Sequence, residues 1–444
     1  MSQLSPVLSM VSPQESFGEF RDNGLRLDGP PSGLENVYDY EPGGHHPVHI
    51  GDVLNGQYRV VDKLGVGGHA NVWLCRDVLQ ESTQYFAIKI IMADASFHEC
   101  HELRVYRLLH LGLAKTDAAE LLCLPVGRFD IHGPNGCHFA IVYPVLGPSI
   151  SRLAPILKWE DSGKALRGRC SQAVKAMATL HSYGICHGDF RPANLLTRTK
   201  GLAGLSEERL AQAFGSSRTT KLVQVAAGQP WPASAPRYLV RSVNWDSQVS
   251  GDADFGFIDV GVCVADFGES FDANDLPEDL SIPQEYRAPE YILDKRLGIE
   301  SDIWALGCTL FEIRTGRRLF DTVDDDPDEH LARIVKMLGK FPEPWWSTTW
   351  EARRQYFDDE TNIDGRPVSL DWWSGDVEQA GQKPARVPHS IEDALTRTTL
   401  HDAHHTMSRD EVLLFSDLLR RVFRYTPEKR ISVEDILEHA WFRI

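Results

Sequence analysis

The chain has no C-x-x-C pair: its eight cysteines, at positions 75, 100, 123, 137, 170, 186, 263 and 308, stand singly. That scatter gives no disulfide framework, so reduced thiols in a cytoplasmic or nuclear setting are expected. No apolar run approaches the ~18 residues of a membrane span. The opening MSQLSPVLSM has neither a basic start nor a long apolar core, so neither export nor anchoring is expected. Basic residues are in deficit, with 46 Lys and Arg against 63 Asp and Glu and a formal charge of −17. The deficit argues against unspecific binding to nucleic acid or acidic membranes and is compatible with basic partners. Hydrophobic residues at 42% and charged residues at 25% of 444 describe an ordinary globular chain long enough for two lobes.

Residues 1–45 are rich in Ser, Pro, Gly and acids without a sustained period and read as a flexible N-terminal arm. From Tyr58 the pattern alternates through Tyr58–Val61, Asn71–Cys75 and Tyr85–Ile90, the signature of an antiparallel sheet; His138–Tyr143 is a further strand. Between strands, Phe97–His110 repeats apolar residues at helical spacing. Beyond Pro148 the chain turns helical, so a small strand-rich lobe and a larger helical lobe are expected, an α+β architecture. Residues 198–258 read as an insert, with a short helix over 205–214 that begins at Ser206, and residues 340–400, crowded with Trp and acids, as a second one.

The stretch that organises the chain is His187-Gly188-Asp189-Phe190-Arg191-Pro192-Ala193-Asn194. An acid and an amide five residues apart on a tight loop suit phosphoryl transfer: Asp189 can orient an attacking hydroxyl and accept its proton, Asn194 can hold magnesium, and Arg191 can stabilise charge on the phosphate. Upstream, Leu64-Gly65-Val66-Gly67-Gly68-His69-Ala70-Asn71-Val72 lies between two strands. Its glycines let backbone bend over phosphates while Val72 roofs a base, although Ala70 stands where a third glycine is commoner. Ala87-Ile88-Lys89 puts a lysine on a strand, and that lysine needs a carboxylate to stay charged and directed. Glu102, with apolar residues at +3, +4 and +7, is preferred to Glu99 as that partner. Asp-Phe-Gly occurs twice; Asp266, after the apolar run 260–265, is taken as the second magnesium ligand and Asp254 as loop. Downstream, Ala288-Pro289-Glu290 and Arg430 suggest a structural ion pair, and Asp302 a buried acid that fixes the 187–194 loop.

In this order the motifs resemble the eukaryotic protein kinase family, across residues 58–443, with substitutions at Ala70, Gly188 and Arg191. The run Gly44–Tyr58, the hinge Val145-Leu146-Gly147 and the insert between Asn194 and Asp266 are similar to the SR-protein kinases (SRPK) of the CMGC group. The resemblance implies a bilobal fold (small lobe 58–145, large lobe 149–443), ATP and Mg2+ as cofactors, and activity as a monomer. Tyr143 would be the gatekeeper, with the backbones of Pro144 and Leu146 meeting adenine. Implied substrates are basic Arg/Ser-rich proteins such as splicing factors, drawn to Glu269, Asp272, Asp275, Glu278, Asp279 and Glu285, to Asp324, Asp325, Asp326, Asp328 and Glu329, and to Asp358, Asp359 and Glu360. Two other readings compete. His-Gly-Asp with Asn five residues on also occurs in aminoglycoside-type kinases, which lack Ala-Pro-Glu, Asp302 and Arg430. A pseudokinase would usually have lost Lys89, Asp189 or Asn194.

Overall fold

The computed structural model describes residues 23–96, 101–103, 107, 120–153, 162–225, 228–245, 256–322, 325–362, 365–370, 388–396 and 406–444. Glu99, Asp254, Asp324 and most of the helical pattern at 97–110 lie outside them. Strand β1 (Leu25–Leu27) comes from the N-terminal arm. The small lobe is a six-stranded antiparallel sheet of β2 (Val53–Leu54), β3 (Tyr58–Val66), β4 (Ala70–Asp77), β5 (Tyr85–Ile91), β6 (Gly127–Gly133) and β7 (Gly136–Pro144), in the order β2-β3-β4-β5-β7-β6. Alternation sorts its side chains onto two faces. Ala87 and Ile91 join Ala70, Ile141 and Tyr143 toward the cleft, while Ile88 and Ile90 join Val60, Trp73 and Val142 on the far side. Both faces are buried, and the chain continues through β8 (Leu146–Ser149) and β9 (Ile185–Cys186).

That far face is covered by Val48 and by residues of the 198–258 insert. The arm is ordered from residue 23, which corrects its reading as flexible; residues 1–22 lie outside the described region. Leu25, Val37 and Tyr40 are buried, and β1 pairs antiparallel with β11 (Thr219–Gln224) of the 198–258 insert. The insert continues to β12 (Tyr238–Val240), whose Val240 packs against Val48, Val60 and Ile88. Its helix, Glu207–Phe214, starts where the Ser206 hydroxyl caps the Arg209 amide, and it buries Leu210 against Leu74, Tyr85 and Val145.

The large lobe is built on helix α1 (Ser162–Ser182) against α2 (Ile299–Thr315), in which every residue from Asp302 to Thr315 except Glu312 is buried. A Cβ on Gly307 would lie 2.5 Å from Val422, so α2 meets the helix Arg409–Val422 too closely for any side chain there. Residues 341–357 are not an appendage: Phe341, Trp345, Trp346, Trp350 and Phe357 belong to this core, ring against ring, which corrects their reading as part of an insert. A hairpin of strands Phe357–Thr361 and Pro367–Ser369 follows. No helix among the described residues is long and apolar enough to cross a membrane.

Candidate active site between the lobes

Three chain segments converge at the cleft. The first is β5, whose alternation aims Lys89 inward; its Nζ lies 2.7 Å from Glu102 Oε1 and 2.9 Å from Asp266 Oδ1. Burial pulls the lysine's pKa down, but the two carboxylates push it well up, so it stays charged. The Lys89 ammonium in turn holds Asp266 below the usual carboxylate range. Glu102 is buried in a helical stretch at 101–103.

The second segment is the loop 187–194. The Asn194 amide donates to both the carbonyl oxygen and Oδ2 of Asp189, each at 2.8 Å, and Arg191 Nε donates to the two carboxylate oxygens at 2.9 and 3.0 Å. Burial raises the Asp189 pKa, against the pull of Arg191. From beneath, Asp302 accepts the backbone N–H groups of His187 (2.6 Å) and Gly188 (3.0 Å), and Thr309 Oγ1 donates to the Phe190 carbonyl. The loop is therefore pinned by a helix whose core packing fixes it.

Strand pairing brings in the third segment. Strand β10 (Leu195–Thr199) runs antiparallel to β13 (Ile258–Val264), with Leu195 opposite Val264 and Leu196 opposite Cys263, and Ala265 N donates to the Asn194 carbonyl at 2.9 Å. The register sets Asn194 and Asp266 at adjoining strand ends. Asp266 has φ of 63°, the left-handed region that a non-glycine side chain occupies at a cost, and such strain gathers at functional positions. His187 Nε2 lies 3.2 Å from the Ala265 carbonyl and its ring packs against Phe267, joining the second segment to the third.

Above the cleft, the β3–β4 hairpin closes with Gly67 N donating to Ala70 O, and Gly65 faces Val72. A Cβ on Gly65 or Gly68 would meet nothing within 4 Å, so the glycines are not demanded by packing within the chain. Ala70 is buried in the cleft wall. Apolar walls come from Leu64, Val72, Ala87, Tyr143 and Leu146, with Pro144 at the end of β7. Leu196, Cys263 and Ala265 complete them and were missed as site residues. The alternation of β10 immediately after Asn194 was the available signal for Leu196.

Away from the cleft, Glu290 and Arg430 form a two-pronged pair at 2.6 and 2.7 Å, buried against Trp304. Several acids singled out for basic partners have internal tasks. Glu269 accepts from the Ser281 amide, Asp279 bonds Tyr291, and Glu285 pairs with Arg318. Asp326 caps the helix Pro327–Leu338, Asp328 accepts from Trp350, Glu329 pairs with Arg333 and Asp359 with Arg353. Asp325, Asp358, Glu360 and Glu278 remain exposed.

The family model described as protein kinase domain matches residues 257–442. The chain is 24% identical to the serine/threonine-protein kinase SRPK of Physarum polycephalum, over 95% of this chain and 93% of that one. It is 25% identical to the serine/threonine-protein kinase AFC3 of Arabidopsis thaliana, over 91% and 86%. With the dual specificity protein kinase CLK4 of Homo sapiens the identity is 26%, over 90% and 69%.

Proposed function

We propose that this chain, a serine/threonine protein kinase of the SRPK and CLK kind, transfers the γ-phosphoryl group of ATP to serine or threonine hydroxyls in basic, Arg/Ser-rich protein segments, SR-type splicing factors among them. The observation that carries the reading is the single charge array in which Lys89 bridges Glu102 and Asp266 while Asp189 is held between Arg191 and Asn194. Few other reactions need a fixed cation, two oxygen donors and a desolvated base around one cleft.

In this reading Asp189 positions the substrate hydroxyl and accepts its proton, its raised pKa making it a better base than an exposed aspartate. Lys89 holds the nucleotide's phosphates, kept in place by Glu102, and Arg191 faces the charge that develops on the transferred group. The Asn194 amide nitrogen is committed to Asp189, which turns its oxygen outward; with the Asp266 carboxylate this makes a hard oxygen donor set suited to Mg2+. Bound there, magnesium would neutralise phosphate charge. The walls from Leu64 to Ala265 would enclose the adenine, with the Pro144 carbonyl and the Leu146 backbone at its edge. Exposed acids at Asp325, Asp358 and Glu360 would draw arginine-rich sequence. Labelled transfer to peptides that differ in Arg, Ser and Pro content tests the proposal; equal rates on acidic, neutral and Arg/Ser peptides would remove the substrate part, and no transfer to any would remove the whole.

A further inference from the structure

The arm segment from Glu35 to His46 grips the small lobe at three places. At the first, the Tyr40 hydroxyl donates to Glu35 Oε1 at 2.6 Å, and Glu35 Oε2 lies 2.6 Å from Lys63 Nζ, the two side chains 1% and 0% exposed. Lys63 is on β3, directly before the Leu64–Val72 hairpin, and its ammonium sits 4.9 Å from the Trp73 ring. At the second, Ala93 N donates to the Gly44 carbonyl (3.1 Å) and Asp94 N to that of Gly43 (2.8 Å). Residues 93–95 are the turn by which β5, carrying Lys89, leads toward Glu102. The third is Asn135, 2% exposed at the β6–β7 turn: its carbonyl accepts from Gly43 N, and its side-chain amide donates to His45 O (2.6 Å) and to Ser234 O of the insert (2.7 Å).

A lone buried ion pair is weak evidence for stability, since desolvation offsets its attraction; what such a pair supplies best is a unique register. Here the register fixed is that of the strand that roots the glycine-rich hairpin, and the neighbouring backbone bonds fix the turn on the way to Glu102. We propose that Glu35 and Gly44 are positioning residues for phosphoryl transfer: the arm, locked by the insert, holds the hairpin over the nucleotide and keeps Glu102 against Lys89. The inference rests on the kinase reading for its effect on turnover and on the fold alone for its effect on order.

The full chain and two variants decide it. Glu35→Gln keeps the size of the side chain and removes its charge. Gly44→Ala keeps both side chains of the ion pair but places a Cβ 1.8 Å from the Asp39 carbonyl, displacing the backbone that meets residues 93 and 94. Without nucleotide, each variant is expected to raise amide hydrogen exchange about tenfold or more at 64–72, 92–96 and 101–103 while helix α2 is unchanged. In turnover each is expected to raise the KM for ATP about fivefold and leave the KM for peptide unaltered. Exchange unchanged in those segments, exchange raised equally in both lobes, an unmoved KM for ATP, or failure of both variants to fold would overturn the inference and leave the arm a purely structural element. If the unaltered chain transfers no phosphate, the kinase reading fails, and the exchange pattern still decides whether the arm orders the hairpin.

Discussion

Gly188 touches Glu269. A Cβ at position 188 would lie 2.1 Å from the Glu269 carbonyl oxygen, and Gly188 has φ of 79°, so both sterics and backbone confine the position to glycine. In many kinases an arginine here receives a phosphate from the activation segment. In this chain the segment's own backbone occupies that space. The segment is then held by Glu269 to the Ser281 amide, by Gln284 to the Asp326 carbonyl and by Arg287 to the Ile282 carbonyl.

Activity is therefore expected without phosphorylation of that segment. Protein made in bacteria and treated with phosphatase should turn over at the untreated rate. Gly188→Ala should lower kcat by on the order of 10²-fold through the displaced segment, and Gly188→Arg at least as far. Loss of activity on phosphatase treatment, regained on rephosphorylation, would contradict this account.

Lys89→Met and Asp189→Asn should each cost about 4 kcal/mol of barrier, close to a thousandfold in kcat/KM for peptide. Both variants should also lose thermal stability: Lys89→Met leaves Glu102 buried beside one partner fewer, and Asp189→Asn replaces one of two accepting oxygens with an amide N–H that faces the Arg191 and Asn194 donors. Because burial raises the Asp189 pKa, kcat should fall on acidification at a higher pH than an ordinary aspartate would give. A rate that stayed flat down to pH 4 would argue against Asp189 as base.

Of the three acids at 358–360, Asp359 is engaged by Arg353, which leaves Asp358 and Glu360 for a partner. Lysine at both should raise the KM for an Arg/Ser peptide severalfold, leave the KM for ATP unchanged and lose its effect as salt rises. Reversal of Asp359 should instead lower the melting temperature slightly, because its partner is the largely buried Arg353. Steady-state kinetics at two ionic strengths, with melting curves, separate these outcomes.

Acid should loosen the arm. Burial lowers the pKa of both His45 and His46 to about 4, while an unfolded histidine titrates near 6.5. The sign follows from proton uptake: below 6.5 the unfolded chain binds protons that the folded chain refuses. The stability contributed is thus complete above pH 6.5 and drains away as pH falls toward 4, by up to roughly 3 kcal/mol per histidine. His330 in the large lobe adds a similar slope. Melting temperature measured from pH 7.5 to 5 should fall, and His45→Gln with His46→Gln should flatten the curve; an unchanged slope would remove these two from the account.

The cleft was legible because its chemistry is local. Lys89, Asp189, Asn194 and Asp266 each sit in a short pattern, and strand alternation fixes where Lys89 points. What stayed hidden depends on pairings far apart in the chain. Glu35 lies in a segment poor in apolar residues, and only its meeting with Lys63 and Tyr40 makes it structural. The same applies to Asp326, Asp328 and Asp359, which read as a charged face until Tyr356, Trp350 and Arg353 are seen beside them. The tryptophans at 345, 346 and 350 show no period because a short irregular turn buries them.

The pairing of Leu25 with Gln224 also sets an order of events during synthesis. A chain leaving the ribosome exposes β1 long before its partner β11 exists, and loop closure over so many residues is slow compared with local strand pairing. The small lobe can form its hairpins early, but Val240 and Tyr238 reach its outer face only once the insert has been made. Nascent chains halted before residue 219 should be cut readily by protease near residues 25–27, and chains halted beyond residue 245, once clear of the exit tunnel, should resist. Strand β1 is thus among the last parts of the small lobe to find a place.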